Sequence, residues 1–228
     1  MRRLPSFAIV LMMAASDQNA VFKDGEVLRY TVNWPSGLSL GETQFTARRV
    51  SGLSWNFEMT LDAALPGFPI EDRYRAQASS SLCSERLEKS FRHGKRASQE
   101  DITFDSSTGK VTRRTVPKGG SSEFDVVPCV RDALTFLYFV RQELAAGRIP
   151  GPQTVVFGAP YQIRFDFGGV KPVDIGGVRQ DADRLVAHLK GPNSELTFDL
   201  YFARDAARTL LLARVPLPVG AFAMELSR

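Results

Sequence analysis

Residues 129–144, CVRDALTFLYFVRQEL, carry helical spacing in a chain whose other segments mostly alternate with period two. Asp132 stands where a carboxylate caps a helix or sits in its first turn, a position that suits the N-terminal dipole. Gly147 ends the run and Pro150 follows, which bounds a helix of about residues 131–146. Leu134, Leu137, Tyr138, Arg141 and Leu144 share one face, while Phe136, Phe139 and Val140 lie on others. A helix that is apolar all round is a buried one. A flat sheet covers one side of such a helix, whereas a strongly curved sheet covers most of it. The segment therefore predicts a mostly β fold: an antiparallel meander forming a strongly curved sheet or barrel, with this one helix in or across its concavity.

The flanking sequence supplies the strands. Leu28, Tyr30, Val32 and Trp34 alternate with polar neighbours, and Pro35-Ser36-Gly37 turns the chain. In the next strand Leu38 and Leu40 are in one phase and Thr43, Phe45 and Ala47 in the other. Gly41 lies at the switch and predicts a bulge. Trp55, Phe57, Met59 and Leu61 follow after a turn at Ser51-Gly52, then a strand from Ile70 to about Ser81. Further turns are read at His93-Gly94, Ser107-Thr108-Gly109, Lys118 to Ser122, Gly168-Gly169 and Gly176-Gly177. Leu196, Phe198, Leu200 and Phe202 make the clearest alternation in the chain. Composition does not change along the 228 residues, so a single β-rich domain is expected over 21–228.

The first 20 residues read as a signal peptide: a basic MRR, an apolar LPSFAIVLMMAA, then small residues with cleavage at about 16–20. That apolar run is too short to span a bilayer, which takes about 20 residues. No later segment is long and apolar enough to do so. The expected location is therefore the periplasm or cell envelope. Without Arg2 and Arg3 the formal charge falls from +4 to +2, or to +3 if Asp17 is removed too, too little to argue for nucleic acid. In an exported chain the two cysteines, Cys83 and Cys129, are a disulfide candidate. Two separate buried thiols are the alternative. Two Cys and two His, widely scattered, do not have metal-ligand spacing. Neither a metal nor a cofactor is expected.

DGEVLRYTVNW, RDALTFLYFVRQEL and LPVGAFAMEL, in that order, resemble the bacterial domain of unknown function 3108 family. The resemblance runs from about Phe22 to Leu226. It rests on Gly25-Glu26 with Leu28 and Tyr30, then Asp132, Leu134, Leu137, Tyr138 and Arg141, then Pro218-Val219-Gly220 with Glu225-Leu226. Thr135 stands where Ser is expected and Phe139 where Tyr is expected; neither disturbs the fold. The resemblance implies an exported, mostly β domain and carries over no catalytic residue.

The residues themselves offer little chemistry. Gly37-Leu38-Ser39-Leu40-Gly41 fits the G-x-S-x-G pattern, but that motif needs a strand-to-helix turn and Ser39 opens a β-strand. His93 is placed at a hairpin tip and His188 on a solvent face or core edge. Glu71-Asp72 and Glu100-Asp101 are adjacent in strands, so each pair splits across the two faces and forms no dyad. KVTRR with Lys118 reads as a solvated edge. Arg141, beside so much apolar surface, needs a partner from a strand or serves as an anchor for an anionic head group. The sequence thus points away from an enzyme. It favours a non-catalytic envelope module that binds a lipid or other amphiphile in a cavity bounded by Leu134, Phe136, Leu137, Tyr138, Phe139 and Arg141. The alternative is an interaction or scaffold protein with a filled core, contacting another envelope protein.

Overall fold

The computed structural model describes residues 21–50, 54–65, 67–116, 119–217 and 220–227. The leader expected over 1–20, the Ser51-Gly52 turn, Lys118 and the Pro218-Val219 pair lie outside the described residues. In order, the elements are β1 (Glu26–Asn33), β2 (Ser39–Val50), β3 (Ser54–Leu65), β4 (Phe68–Ser79), β5 (Ser84–His93), β6 (Arg96–Asp105), β7 (Lys110–Val116), β8 (Ser121–Asp125), β9 (Arg131–Asp132), α1 (Ala133–Ala145), β10 (Gln153–Val156), β11 (Pro160–Ile175), β12 (Val178–Lys190), β13 (Glu195–Ala203), β14 (Leu210–Leu217) and β15 (Gly220–Leu226).

These strands make one 15-stranded sheet ordered β8-β7-β6-β5-β4-β3-β2-β1-β15-β14-β13-β12-β11-β10-β9. Two meanders are joined at the middle, where Tyr30 pairs with Leu226 and Val32 with Met224. Every pairing is antiparallel except the short parallel contact of β9 with β10, which α1 connects. Hairpins need only tight turns, whereas a parallel pair needs a crossover, and the helix supplies it.

The alternation read from the sequence sets the faces. Ala47, Phe57, Ala76, Leu87, Ile102 and Val111 point into the concavity from β2 to β7, Tyr30 from β1, and Leu185, Leu200, Phe202 and Leu210 from the other meander. The helix lies between these two clusters. The bulge predicted at Gly41 is present: Val32 opposes Gly41 and Asn33 opposes Ser39, leaving Leu40 unpaired. Gly41 also lets β3 approach closely, since a Cβ there would sit 2.1 Å from the Asp62 carbonyl oxygen.

Gly168-Gly169 is not a turn. β11 runs through it, and between the pairs Phe167–Leu185 and Val170–Asp183 the two glycines stand against the single residue Arg184. Gly169 takes φ +81°, which accommodates the extra residue as a bulge rather than a reversal. The distal hairpin then bends over the outer face of the sheet. Val173, Ile175 and Ala182 pack there with Tyr201, Ala203, Leu211 and Leu212 as a third cluster, and the Gly176 N–H donates to Glu225 Oε1 at 3.4 Å.

The curled sheet does not close. β8 and β9 are its two free ends, and the β9–β10 end is tucked inside rather than set edge to edge. Phe157, just after β10, packs edge-on against Tyr74 of β4 with ring centroids 5.2 Å apart. A Cβ at Gly158 would lie 3.1 Å from Glu100 Oε2 of β6 and 3.8 Å from Arg113 Nε of β7. The molecule is a scroll whose inner end is held against the concave face of β4–β7.

Candidate functional site

The helix begins on Asp132, which is fully buried. Its carboxylate accepts from the Leu134 and Thr135 backbone N–H groups at 2.8 and 3.0 Å and from the Thr135 and Ser84 hydroxyls at 2.6 and 2.5 Å. Burial pushes its pKa up, and these four hydrogen bonds pull it back only in part. Ser84 Oγ in turn accepts from the Asp132 N–H at 2.7 Å, so the cap is also the link between the helix and β5. One residue before Ser84, Cys83 is bridged to Cys129. A disulfide fits an extracytoplasmic location.

Leu134 and Tyr138 join the cluster of β2–β7, and Phe136, Val140 and Leu144 join that of β1 and β11–β14. Leu137 and Phe139 are half-buried at the edges of these clusters. Tyr138 stacks on Phe57 with centroids 4.0 Å apart, and Phe136 stacks on Phe165 at 5.9 Å. The six residues proposed to bound a cavity are thus packed against strands on both sides.

Arg141 is only 1% exposed and its charge is matched. Nη1 and Nη2 donate to the two carboxylate oxygens of Glu26 at 2.6 and 2.8 Å, and Nε and Nη2 donate to the Ala207 carbonyl at 3.1 and 3.0 Å. Burial opposes the charge, but the bonds and charge of Glu26 outweigh it and hold the guanidinium above its usual range. The fork is committed to Glu26, so it does not present a free pair of donors to an anionic head group.

A polar cluster that the sequence reading missed occupies the concave face near Phe157. The adjacent carboxylates do split: Glu71 faces outward on Arg92 and Asp101 outward on Arg86, while Asp72 and Glu100 face inward. Strand register then brings the two inward members to the same face, flanking Tyr74, whose hydroxyl burial pushes well above its usual pKa, with Asp72 and Glu100 adding to the shift. Lys89 Nζ reaches Glu100 Oε2 at 3.2 Å and lies 3.9 Å from the Phe157 ring centroid. Arg113 pairs with the other oxygen of Glu100. His93 Nε2 is 2.8 Å from Asp72 Oδ1. The registers Tyr74–Lys89 and Lys89–Glu100 are the only signal, and they are not visible before the hairpins are aligned.

The family profile for the protein of unknown function DUF3108 matches residues 29–227. The chain belongs to that family. Among solved structures, the chain resembles a β-barrel-like protein of domain of unknown function DUF1849 from Brucella abortus, at 7% identity and a TM-score of 0.65, covering 89% of this chain and 95% of that one. At that identity the likeness is one of fold. A Bacteroides fragilis protein with a YmcC-like fold matches at 8% identity and a TM-score of 0.34 over 90% and 95% of the two chains, too low a similarity to argue from. No curated protein matches the chain.

The family assignment names no active residue, so the other candidates stand on geometry. Ser39 opens β2 on the surface, and the strand simply continues from it. His188 lies on the outer face, with Nε2 2.8 Å from Asp166 Oδ2 and Nδ1 3.2 Å from Thr197 Oγ1. The order Asp–His–Thr is that of a triad, but both His188 and Thr197 sit within paired strands. Arg164 also neutralises Asp166 at 2.8 Å. Among the described residues, three open clefts exceed 300 Å³. One of about 320 Å³ is lined by Ile163, Leu189, Leu196, Arg164, His188 and Lys190 among others. Two of about 420 and 440 Å³ share Arg73, Ser90, Gln99 and Val116 on the outer face of β4–β7. No helix residue lines any of the three. Among the described residues no helix is long and apolar enough to cross a membrane.

Proposed function

We propose that this chain is an exported, non-catalytic interaction module of the cell envelope, with its helix a fixed part of the core. The observation that carries this reading is the helix itself: strands cover both its flanks, and its one buried cation is engaged by Glu26 and Ala207. A ligand beneath the helix would have to displace side chains already in contact. The bridge between Cys83 and Cys129 supports an oxidising compartment, and the MRR-led apolar segment supports export. Recognition then falls to the outer surface of the sheet, whose clefts across β4–β7 are the larger.

A second reading keeps an amphiphile as the ligand and moves it to the end of β11–β13. The cleft there is flanked by the outward side chains of Arg164, His188 and Lys190, cations that suit an anionic head group, while Ile163 and Leu189 of the same strands turn their side chains into the concavity. At about 320 Å³ it is at the lower end of ligand-site volumes, roughly 300–1,000 Å³.

One experiment separates the two. The mature chain is exported, purified without detergent, extracted with organic solvent and analysed by mass spectrometry, with uptake of a fluorescent fatty acid measured alongside. The interaction module predicts an empty extract and no uptake. A stoichiometric lipid, released by Arg164→Glu, would replace that reading with the second.

A further inference from the structure

The strand leading into the helix holds a cation without an anion. Arg131 of β9 is half-buried, and its guanidinium carbon lies 3.6 Å from the Phe139 ring centroid. Nη1 donates to Gln153 Oε1 at 3.2 Å, and Nε is buried with no hydrogen-bond partner. No carboxylate lies within ion-pair distance of it among the described residues. Burial pushes this guanidinium below its usual range, and the more distant Glu143 offsets that only in part. Its remaining donor, Nη2, points at Cys129 Sγ, 3.7 Å away. A buried cation facing a neutral disulfide sulfur is poorly compensated, whereas the same cation facing a thiolate is paired.

The surroundings of the bridge point the same way. Cys83 and Cys129 are both partly exposed. Ser81 Oγ lies 3.3 Å from Cys83 Sγ. Cys129 has φ +58° and Leu82, beside Cys83, has φ +57°, so two non-glycine residues are held in the left-handed region next to the bridge. The other charges nearby do not replace Arg131. Asp105 and Lys110 line the narrow gap beside Cys129, but Asp105 caps its own turn through Ser107 and Lys110 is paired with Glu123. The Asp132 carboxylate is engaged by the helix N-terminus and Ser84.

We propose that Cys83–Cys129 is an exchangeable disulfide, opened by a dithiol oxidoreductase that attacks Cys83, with Arg131 receiving the departing Cys129 thiolate. The attacking thiolate forms a bond to Cys83 Sγ, the Cys83–Cys129 bond breaks, and its electron pair goes to Cys129 Sγ beside Arg131. The second thiol of the dithiol, as thiolate, then attacks its own partner sulfur in the mixed disulfide. Cys83 leaves as a thiolate and takes up a proton. The dithiol is oxidised by two electrons and the bridge reduced by two. A lower leaving-group pKa speeds such exchange, so the position of Arg131 selects which sulfur is attacked. Asp132 and Ser84 keep the helix tied to β5 after the bridge opens.

The native chain itself provides the first test. The oxidised protein is treated briefly with glutathione, quenched with acid, alkylated and mapped by mass spectrometry. The mixed disulfide is expected on Cys83; an adduct mainly on Cys129 would overturn the assignment. The second test uses Cys83→Ser, in which Cys129 is free. Its alkylation by iodoacetamide as a function of pH is expected to show an apparent pKa below the ordinary thiol value of about 8.5. Adding Arg131→Gln should move it back to that value or higher, and Arg131→Lys should retain most of the depression. Identical profiles with and without Arg131 would defeat the proposal.

Discussion

At the scale of residues, two of the most buried cations, Arg141 and Lys89, are paired with carboxylates. Arg141 and Glu26 are the clearest case, and breaking such a pair from one side leaves an uncompensated ion. Glu26→Ala is expected to cost about 3–5 kcal/mol in unfolding free energy, measured by urea denaturation. A loss under about 1 kcal/mol would mean that water reaches the guanidinium, as at an exposed pair. Glu100 makes a pH-dependent contribution. Burial raises its pKa, but Arg113 and Lys89 outweigh burial and hold it below its ordinary value of 4.5. A depressed carboxylate stabilises the fold above its unfolded value and loses that contribution as pH falls through the folded one. Wild-type stability should therefore fall on acidification below about pH 4.5, and Glu100→Gln, less stable at neutral pH, should show a flatter profile there. Thermal unfolding at a series of pH values reads both.

At the scale of elements, the helix is fixed at its start by its N-cap, Asp132. Asp132 satisfies two orphan N–H groups, orients Thr135 and holds Ser84 of β5. Asp132→Ala removes the cap and strands two buried hydroxyls, for an expected loss of roughly 2–4 kcal/mol. Asp132→Asn should recover part of it, because it can still cap, and parallel chemical denaturation of the two variants checks this order. The β11–β12 hairpin shows the same dependence on one local feature. Its bulge at Gly168-Gly169 changes the strand's direction, and the bend carries Val173 and Ile175 onto the outer face of β13 and β14, where they build a third cluster.

At the scale of the molecule, one covalent bond and one helix hold the inner end of the scroll against its wall at β4 and β5. The bridge spans a separation of 46 residues, and closing a loop of that size stabilises the fold by roughly 4 kcal/mol through the entropy of the unfolded chain. Denaturation with and without a reductant should show a difference of that order. A much smaller difference would mean that the Asp132–Ser84 link already restrains the inner end. The scroll also explains why a 15-stranded sheet leaves both ends unpaired. The inner end is occupied with Tyr74, Lys89 and Glu100, so it does not reach the β8 edge.

Much of this was legible in the chain. Period-two spacing carries the faces of the strands, since side chains alternate by geometry alone. An apolar run at helical spacing carries its own burial, and the need for a strongly curved partner follows from it. Asp132 at the helix start, the Gly41 bulge and the demand of Arg141 for a strand-borne partner were local signals of the same kind. The identity of that partner was not, because Glu26 lies 115 residues away and only the curl of the sheet brings it to the helix. Nor was Gly168-Gly169 legible as a bulge, since the same two residues make a turn or a kink depending on whether the partner strand continues. The meeting of Asp72, Tyr74, Lys89 and Glu100 was hidden too. The sequence by itself determined which side of each strand faces inward and that the helix had to be enclosed. Only the tertiary structure decided which inward residues meet, that the curled sheet is a scroll and not a closed barrel, and that Arg131 stands against a disulfide. The physical reason is that facing is a property of neighbouring residues, while register, twist and the volume of the enclosed helix act on the whole sheet at once.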